Sequence, residues 1–575
     1  MKLISKFNLL MLCFGLISTQ AQSPIESITK VADNIISEST FELYSKAQQK
    51  VGNLQIVNLP KASLTNPLFA KSIIHVDKNV NITFGISSTQ PIEVWINGKS
   101  IFSSNQPLGN FETVAYDMYK FPKEFSAGLY EGDNIILVKT CSNENDFFTL
   151  AALKEHGMLN EKVEFVLPLV DEQQNEYHKW MLLGPVDESY TEQVIKESTK
   201  EYVTIKDKFY TWYLPETNII LDDVVKKDSP FYWHSYFEWH YANGQMLLGM
   251  QTLADLTSDQ KYLNYIKKFC DFTLDNFDYF KYQYEVLNER SGFNCRLYRR
   301  KMMDDTGGPA LPFIELILRG KLDNARSLID TIAAYISEDQ SRLADGALCR
   351  PEPREYTVWA DDLFMAVPFL LRYAELTGND KYYDDAANQI VLFYNKLFDK
   401  EVNLYYHGWS SDTEEHSAAH WGRANGWVIW AVSEALLYLP KDHAKYDVIL
   451  SIYKKHVEGL INFQDKNGIW HQVIDKSESY EETSSSAMFT LVIARGILNG
   501  WLDASYKNIA VKGWDAISKK ISNDGIVSGI CRGTGIGFNL EFYYERDTRP
   551  NDPRGLGAVL TAGVEVEKLL HESGK

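Results

Sequence analysis

A repeat of paired helices fills the C-terminal part of the chain and limits the folds that it can adopt. From about residue 235 onward, helices that are apolar around most of their surface alternate with helices that are apolar along one face. The apolar members begin at intervals of roughly 57 to 70 residues, near residues 238, 304, 361, 421, 485 and 555. Such a period is typical of a repeated two-helix unit. Six units, each with a buried inner helix and a half-exposed outer helix, predict an (α/α)6 barrel.

The same pattern predicts where the helices lie. They are expected near residues 25–37, 238–256, 259–276, 304–318, 321–336, 361–377, 379–396, 421–439, 442–464, 485–500, 503–520 and 555–570. The first of them is separated from the others by a stretch of different character. If it belongs to the barrel, that stretch is an insertion into the barrel rather than a leading domain.

Short alternating segments between about residues 42 and 170 predict strands rather than helices. Asn97-Gly98, between two of these segments, is a strong hairpin signal. Repeated short strands of this kind predict a β-sandwich. The run 94–99, together with the later run 132–139, resembles the jelly-roll accessory modules of glycan-degrading enzymes. Both a structural role and a sugar-binding role stay open for this module.

The N-terminus has the parts of a secretory signal peptide. Lys2 and Lys6 charge its start, an apolar run covers residues 7–17, and Ala21 precedes the expected cleavage point. Cys13 lies inside the apolar run, which argues against a lipid-anchor cysteine. No later apolar run is long enough to span a bilayer. We therefore expect a secreted or periplasmic protein without a membrane anchor.

These patterns predict a mostly α protein with an additional β-sandwich, in four parts. Residues 1–21 are expected to be the signal peptide, and residues 22–40 an N-terminal helix that could be the first helix of the barrel. Residues 41–200 are expected to form the jelly-roll-like accessory module and a connector. Residues 201–575 are expected to form the catalytic barrel.

Net charge and cysteine usage narrow the partners. The formal charge is −19, and loss of Lys2 and Lys6 with the signal peptide makes it −21 (−19 minus 2). This acidity argues against nucleic acid and anionic membranes as partners, whereas an acidic oligosaccharide stays compatible if the site supplies local positive charge. No metal or nucleotide motif is present, so no cofactor is expected. The remaining cysteines, odd in number and widely spaced, indicate neither a disulfide framework nor a zinc site. They are Cys141, Cys270, Cys295, Cys349 and Cys531.

Chemically active residue types cluster where the inner helices are expected to begin. Asp304 and Asp361 open the second and third inner helices, and His407 and the run 421–427 precede or open the fourth. In a barrel of this kind these helix starts share one end, and helix N-termini favour anions. Asp361 alone could be an N-cap. Capping would not call for the tryptophan, histidine and arginine side chains around it, so the set predicts a functional site.

The chain resembles the unsaturated uronyl hydrolases of glycoside hydrolase families 105 and 88, more closely family 105. The resemblance covers about residues 235 to 570. It rests on several separated motifs in the right order, namely Trp359-Ala360-Asp361-Asp362-Leu363-Phe364-Met365, Tyr406-His407-Gly408-Trp409, Trp421-Gly422-Arg423-Ala424-Asn425-Gly426-Trp427 and the tail from Cys531 to Gly557. The resemblance implies an (α/α)6 barrel. It also implies an enzyme that hydrates the C4–C5 double bond of the unsaturated uronic acid that a polysaccharide lyase leaves at a non-reducing end.

The resemblance assigns roles to particular residues. Asp361 matches the principal acid/base residue, which would protonate C4 and activate the water that adds at C5. Asp304 matches the second catalytic-site aspartate, which would position substrate or water. The remaining members of the site are expected to contact substrate, the indoles by stacking and the others by hydrogen bonding or charge. They are Trp359, His407, Trp421, Arg423 and Trp427.

Several of these residues also have ordinary structural explanations. Trp427 could be part of the core, His407 could be a structural histidine, and Arg423 could pair with a neighbouring acid. Asp305 and Asp362 are expected to be caps or supporting groups. Burial beside an indole would raise the pKa of Asp361, whereas a helix N-terminus would lower it, and the sequence does not decide between them.

The loop at 349–354 departs from the pattern of the relatives. It reads Cys-Arg-Pro-Glu-Pro-Arg, where relatives often place other polar groups that contact sugar. The sequence therefore leaves open which arginine meets the substrate, which sugar occupies the next subsite and which polymer is degraded. It gives no sign of the oligomeric state.

Two other functions remain compatible with the sequence. An inverting glycosidase acting on saturated uronides would use Asp361 as acid and Asp304 as base, with carboxyl groups about 6.5–9.5 Å apart. A non-catalytic glycan-binding protein would use the aromatic residues for affinity alone, although the full set of acids, histidine and arginine argues against it.

Overall fold

The computed structural model describes most of the chain. The described residues are 23–45, 54–113, 119–143, 146–154, 157–160, 162–168, 179–215, 221–223, 235–290 and 292–572. The predicted signal peptide, residues 1–21, lies outside them. Among the described residues no helix combines the length and the apolar character needed to cross a membrane.

Six inner helices form a closed ring within the described part of the chain. They pack against one another in chain order, and the last packs against the first. Each is buried around nearly its whole surface, as the sequence predicts for an inner helix. They are α3 (Tyr241–Thr257), α7 (Gly307–Leu318), α9 (Asp362–Thr377), α11 (Gly422–Tyr438), α13 (Thr483–Leu498) and α16 (Pro553–Glu572).

Outside this ring lies a second layer of helices that bury one face. The described members are α1 (Pro24–Glu38), α4 (Gln260–Asp275), α8 (Arg326–Ala334), α10 (Lys381–Leu397), α12 (Tyr446–Ile461) and α14 (Lys507–Ser518). The N-terminal helix α1 packs against α16 and α14, beside the end of the barrel in sequence. The predicted helices are thus confirmed, and the largest shift is in α8, which was expected from residue 321 and begins at Arg326.

Shorter helices lie outside the two layers. They are α2 (Thr191–Glu197), α5 (Phe277–Glu285), α6 (Cys295–Arg299) and α15 (Glu541–Tyr544). Small antiparallel strand pairs and one three-stranded sheet connect the larger elements. These are β1 (Leu43–Ser45) with β16 (Leu221–Asp223), β7 (Glu112–Thr113) with β8 (Tyr119–Lys120), β14 (Tyr202–Ile205) with β15 (Lys208–Thr211), β17 (Thr357–Trp359) with β20 (Gly408–Ser410) and β21 (Glu415–His416), β18 (Phe398–Asp399) with β19 (Leu404–Tyr405), and β22 (Ile530–Cys531) with β23 (Thr548–Arg549).

Two antiparallel sheets, whose strands follow α1 and precede α3 in the sequence, form the predicted β-sandwich. One sheet has the order β12-β3-β10-β5-β6, with β13 also paired to β3, and the other has the order β2-β11-β4-β9. Their inward residues share one core, to which Phe84 and Leu150 contribute from one sheet and Val94 and Val138 from the other. The strands are β2 (Leu54–Asn58), β3 (Leu68–Val76), β4 (Val80–Ser88), β5 (Ile92–Ile96), β6 (Lys99–Ser104), β9 (Lys123–Leu129), β10 (Gly132–Thr140), β11 (Phe147–Leu153), β12 (Glu164–Val166) and β13 (Met181–Leu183).

The predicted hairpin joins β5 and β6. Ile96 pairs with Lys99 across the two-residue turn Asn97-Gly98. Both turn residues have positive φ, 51° at Asn97 and 76° at Gly98, which is the backbone that a type I′ turn requires. The Asn-Gly pair was therefore a reliable local signal.

A buried network of charges links five inner helices in their C-terminal halves. Arg372 of α9 donates to Glu315 of α7 at 2.6 Å and to Glu434 of α11 at 2.8 Å. Arg495 of α13 donates to Glu434 at 2.7 Å and to Glu565 of α16 at 3.3 Å. Because each carboxylate lies against at least one guanidinium, the charges compensate one another, and they tie the helices together at the end of the ring opposite the helix starts.

We expect Glu434→Gln to destabilise the protein strongly. The change leaves two buried guanidinium groups short of their shared acid, and breaking a buried pair costs about 3–5 kcal/mol. The exposed pair Lys267–Asp271 provides the control, since Asp271→Asn should cost less than about 1 kcal/mol. Denaturant unfolding of both variants checks this, and equal losses would show that the network does not hold the barrel.

Candidate active site

The predicted site residues lie where the inner helices begin. Asp361 directly precedes α9, and Trp421 directly precedes α11. Asp304 lies in a single 3-10 turn, Met303–Asp305, ahead of α7. His407 lies between β19 and β20, and the pairing of Trp359 with Gly408 places it beside the strand that leads to Asp361. The barrel thus brings residues that are far apart in sequence to one end of the ring.

The side chain of Asp361 does not cap its helix. The residue has helical backbone angles, φ −57° and ψ −37°, and makes no side-chain capping hydrogen bond. Instead its Oδ2 lies 3.2 Å from Nε2 of His407. The pair is close enough for an ionic contact but is not aligned as a hydrogen bond, so both atoms lack a hydrogen-bond partner among the described residues. The N-cap interpretation of Asp361 therefore does not describe this side chain.

His407 is held from several sides. It is fully buried, and its Nδ1 lies 3.0 Å from the hydroxyl of Tyr543. Its carbonyl accepts from the amide of Ala360 at 2.9 Å, which ties it to the residue before Asp361. Its ring packs against Trp421, with centroids 4.6 Å apart. These contacts hold Nε2 close to the Asp361 carboxylate.

Contact with His407 decides the charge of Asp361. Burial alone would raise the pKa of this carboxyl, but His407, followed by the charges of Arg350 and Arg423, outweighs burial and holds the pKa below its usual value. Asp361 is therefore ionised at neutral pH in the free protein. The sequence left this balance open between burial and the helix N-terminus, and the structure identifies His407 as the main cause of the lowered pKa.

Arg350 is a central residue that sequence reasoning did not select. It is buried and lies between two acids, with Nη2 3.2 Å from Oδ1 of Asp304 and 2.6 Å from Oδ1 of Asp362. Its guanidinium also covers the ring of Trp359 at 4.2 Å. Burial raises the pKa of Asp304, and it raises the pKa of Asp362 to about 6, with Arg350 opposing both shifts. The only sequence signal was the unusual loop at 349–354.

Arg423 and Trp421 lie together on the next part of the rim. Arg423 lies 4.7 Å from the Trp421 ring and donates to the carbonyls of Cys531 and Arg532, the latter at 2.6 Å. It thereby fixes the segment 531–532 rather than pairing with an acid. The Trp421 indole nitrogen has no hydrogen-bond partner among the described residues, although it is buried.

Trp427 occupies a different environment. It is buried among aromatic side chains, with ring centroids 4.9 Å from Phe364 and 6.1 Å from Trp430. Tyr241, at the start of α3, meets its edge at 6.2 Å. These contacts are what the core interpretation of Trp427 expects.

Tyr241 and Arg554 are further polar groups at the rim that are not among the predicted site residues. Arg554 Nε donates to the Tyr241 hydroxyl at 3.0 Å, and its Nη1 pairs with Asp552 at 2.9 Å. Burial raises the pKa of Tyr241, and the charges of Arg554 and Asp304 also act on it. Neighbouring Trp239 donates its indole N–H to the carbonyl of Asp305.

This geometry suits acid–base chemistry. One carboxylate, Asp361, is ionised beside a histidine, and a second carboxyl, Asp304, has a pKa displaced in the opposite direction. Two titratable groups whose environments separate their pKa values form the usual arrangement of a general acid and a general base. Among the described residues no group of three or more histidine, cysteine or acidic side chains is placed to hold a metal ion.

Comparison with known proteins identifies relatives of this chain. The model of Glycosyl Hydrolase Family 88 matches residues 221–570, more than half of the chain. An unsaturated rhamnogalacturonyl hydrolase of Bacillus subtilis, YesR, is 26% identical over 357 residues, which cover 61% of this chain and 94% of the relative. An unsaturated 3S-rhamnoglycuronyl hydrolase of Formosa agariphila is 32% identical over 223 residues, 37% of this chain and 58% of the relative.

Solved structures show the same fold at low sequence identity. A possible member of the GH105 family from Salmonella enterica superposes with a TM-score of 0.52 at 23% identity, covering 62% of this chain and 88% of that one. A family 105 glycoside hydrolase of C. acetobutylicum also gives a TM-score of 0.52, at 24% identity, covering 60% of this chain and 96% of that one. In both cases the matched part accounts for most of the solved structure.

Proposed function

The chain belongs to glycosyl hydrolase family 88 and is a glycoside hydrolase, and we propose that it removes a 4,5-unsaturated uronic acid from the non-reducing end of lyase-generated oligosaccharides. The observation that carries the proposal is the contact of Asp361 Oδ2 with His407 Nε2 at 3.2 Å, with the second carboxyl of Asp304 on the same rim. The two relatives, an unsaturated rhamnogalacturonyl hydrolase and an unsaturated 3S-rhamnoglycuronyl hydrolase, support it.

The proposed reaction is hydration of the C4–C5 double bond. Asp361 gives a proton to C4, which leaves a cation at C5 that the ring oxygen stabilises. Water then adds at C5 and returns its proton to Asp361. The resulting hemiketal opens, and the unstable product releases the next sugar. Asp361 gives one proton to C4 and takes one back from the water, so it is protonated at the end of the cycle, as it was at the first step.

Asp361 must acquire its proton before the first step, because its pKa in the free protein is lowered. The substrate offers a physical reason for the gain. A uronate carboxylate bound beside Asp361 places a like charge near it, and a like charge raises the pKa of a carboxyl group. Substrate binding would therefore favour the protonated form of Asp361, which is the form that acts on the substrate.

We assign the other site residues as follows. Asp304 positions the substrate or the water. Trp359 and Trp421 are assigned to the substrate-contacting wall of the site, where both rings are almost fully buried and each is covered on one side by an arginine. His407 sets the charge of Asp361. Of the remaining predicted substrate-binding residues, Arg423 supplies positive charge and anchors the segment 531–532. Trp427 is assigned to support the site from the aromatic core.

We also propose that the β-sandwich is a jelly-roll-like accessory module inserted after α1. Its position supports a role in holding the rim of the site. Glu112 of β7 accepts at 2.7 Å from Lys301, which lies three residues before Asp304. Lys120 of β8 lies 3.5 Å from Glu352, which belongs to the loop 349–354. Contact with both loops favours a structural role over independent sugar binding. The N-terminal sequence supports export to the periplasm or the exterior.

The first test is Asp361→Asn. We expect turnover to fall by about 10²–10⁴-fold, because a positioned acid/base contributes about that much. The substrate is a lyase-generated unsaturated oligosaccharide, and the measurement is the loss of ultraviolet absorbance of its double bond. Binding of the same oligosaccharide, measured by calorimetry, should persist. Asp412→Asn is the control and should keep its turnover, since Asp412 is exposed and pairs with Arg354. Retained turnover in Asp361→Asn would contradict the assignment of Asp361 as the acid.

The second test is the pH dependence of His407→Gln. Since Asp361 must carry a proton to act on C4, kcat/KM should fall as pH rises through its pKa, and the pH profile of kcat/KM reports the free enzyme. His407 is the main cause that lowers this pKa, so without it burial raises the pKa and the falling limb moves to higher pH. His443→Gln, which alters an exposed contact with Asp384, should leave the profile in place. A limb that stays or moves to lower pH would show that His407 does not control Asp361.

A further inference from the structure

Arg350 makes more contacts with the acidic groups of the site than its place in a loop would suggest. Its side chain is 1% exposed. Nε donates to Asp362 Oδ2 at 2.9 Å, and Nη2 donates to Asp362 Oδ1 at 2.6 Å and to Asp304 Oδ1 at 3.2 Å. One guanidinium therefore bridges a carboxyl from the turn before α7 and a carboxyl from the first turn of α9.

The guanidinium of Arg350 is held by a contact on its face as well as by hydrogen bonds at its edges. It lies 4.2 Å over the indole of Trp359, whose nitrogen donates to Thr357 Oγ1 at 3.0 Å. The backbone of Arg350 pairs with that of Thr357 in both directions, at 2.8 and 3.2 Å. A planar, forked group held in this way has lost the freedom to turn toward a substrate, and its bidentate geometry cannot be copied by lysine.

We propose that Arg350 is a positioning residue that holds Asp304 and Trp359 in their working places and divides its charge between Asp304 and Asp362. The inference rests on the proposed function, since it concerns the same site. Of the two arginines in the loop 349–354, Arg350 is therefore the one that acts on the site. Arg350 acts through the acids and the indole, and does not bind the uronate carboxylate itself.

Because Asp304 and Asp362 share the charge of Arg350, changing Arg350 or Asp362 should shift the pKa of Asp304 in opposite directions. Two buried carboxyls share one cation, and burial raises the pKa of both, that of Asp362 to about 6. Removing Arg350 takes away the cation that opposes this shift, so the pKa of Asp304 rises further. Removing the charge of Asp362 frees the cation for Asp304, so the pKa of Asp304 falls. The charged and titratable groups that face Asp304 are Arg350, Asp361, Asp305, Arg296, Asp362 and Tyr241.

The same loop provides a matched control. Arg354 is four residues from Arg350 and, unlike it, is partly exposed, with its side chain paired to Asp412 at 2.9 Å and Thr413 at 3.1 Å. It has the same residue type and the same loop, but it does not contact Asp304, Asp362 or Trp359 in the described contacts. Arg354→Gln therefore removes a loop arginine without disturbing the bridge.

The experiment compares Arg350→Gln, Asp362→Asn and Arg354→Gln on an unsaturated lyase-generated disaccharide. We expect Arg350→Gln to lower kcat by about 10–100-fold, because misplacing reacting groups by about 1 Å costs up to about 100-fold, with KM changed less than about threefold. Asp304 is taken to position the substrate or water as a carboxylate, so kcat/KM should rise as pH passes its pKa. This rising limb should move to higher pH in Arg350→Gln and to lower pH in Asp362→Asn. Arg354→Gln should stay within about twofold of the parent protein with the same profile.

Opposite shifts in the two variants support the inference, because a purely structural defect would not move one limb in two directions. Shifts in the same direction, unshifted limbs, or a rise in KM alone would overturn it, and the last would indicate direct substrate binding. If Arg350→Gln fails to fold by circular dichroism, Asp362→Asn and Arg350→Lys decide. Arg350→Lys keeps the charge but not the fork, so its limb should stay near that of the parent while kcat falls, and full activity in it would overturn the inference. Failure of the parent protein to consume the unsaturated disaccharide would instead reject the proposed function, which keeps the two failures distinct.

Discussion

Removal of three carboxyl groups from most of their water at one end of the barrel is the constraint on which the site depends. Asp304 and Asp362 are buried and the Asp361 side chain is only 15% exposed, and an isolated carboxylate in such surroundings is costly to keep charged. The protein meets this cost unevenly. His407 and nearby arginines keep Asp361 ionised, whereas Arg350 is shared, so the other two keep raised pKa values. Acid–base capacity at the site follows from this unequal compensation.

The two ends of the barrel treat charge differently. At the helix starts, acids are only partly compensated and remain able to exchange protons. In the C-terminal halves of the inner helices, Arg372 and Arg495 alternate with Glu315, Glu434 and Glu565, and the pKa values of Glu315 and Glu434 are lowered, because their arginine partners outweigh burial. This second set is a rigid support. A site whose groups must stay within a fraction of an ångström benefits from being built on helices locked together at their other ends.

The sequence predicted the features that arise from periodicity and local turn chemistry. The helix repeat gave the ring and its outer layer, and Asn97-Gly98 gave the β5–β6 turn. It did not predict the charge of Asp361, because the deciding contact comes from His407, on a different loop. It passed over Arg350 because a loop arginine has no periodic signal, and its importance arises only when α7 and α9 bring Asp304 and Asp362 to it. For Trp427, the even choice between core and site could not be resolved without its neighbours Phe364 and Trp430.

The central claim is that the enzyme attacks a double bond rather than an anomeric carbon. The most direct measurement compares initial rates on two oligosaccharides that differ only in the terminal uronic acid, one unsaturated by lyase action and the other saturated. The account predicts that the unsaturated sugar is released with loss of its ultraviolet absorbance while the saturated partner stays intact. Cleavage of the saturated oligosaccharide, with the unsaturated one left untouched, would contradict it.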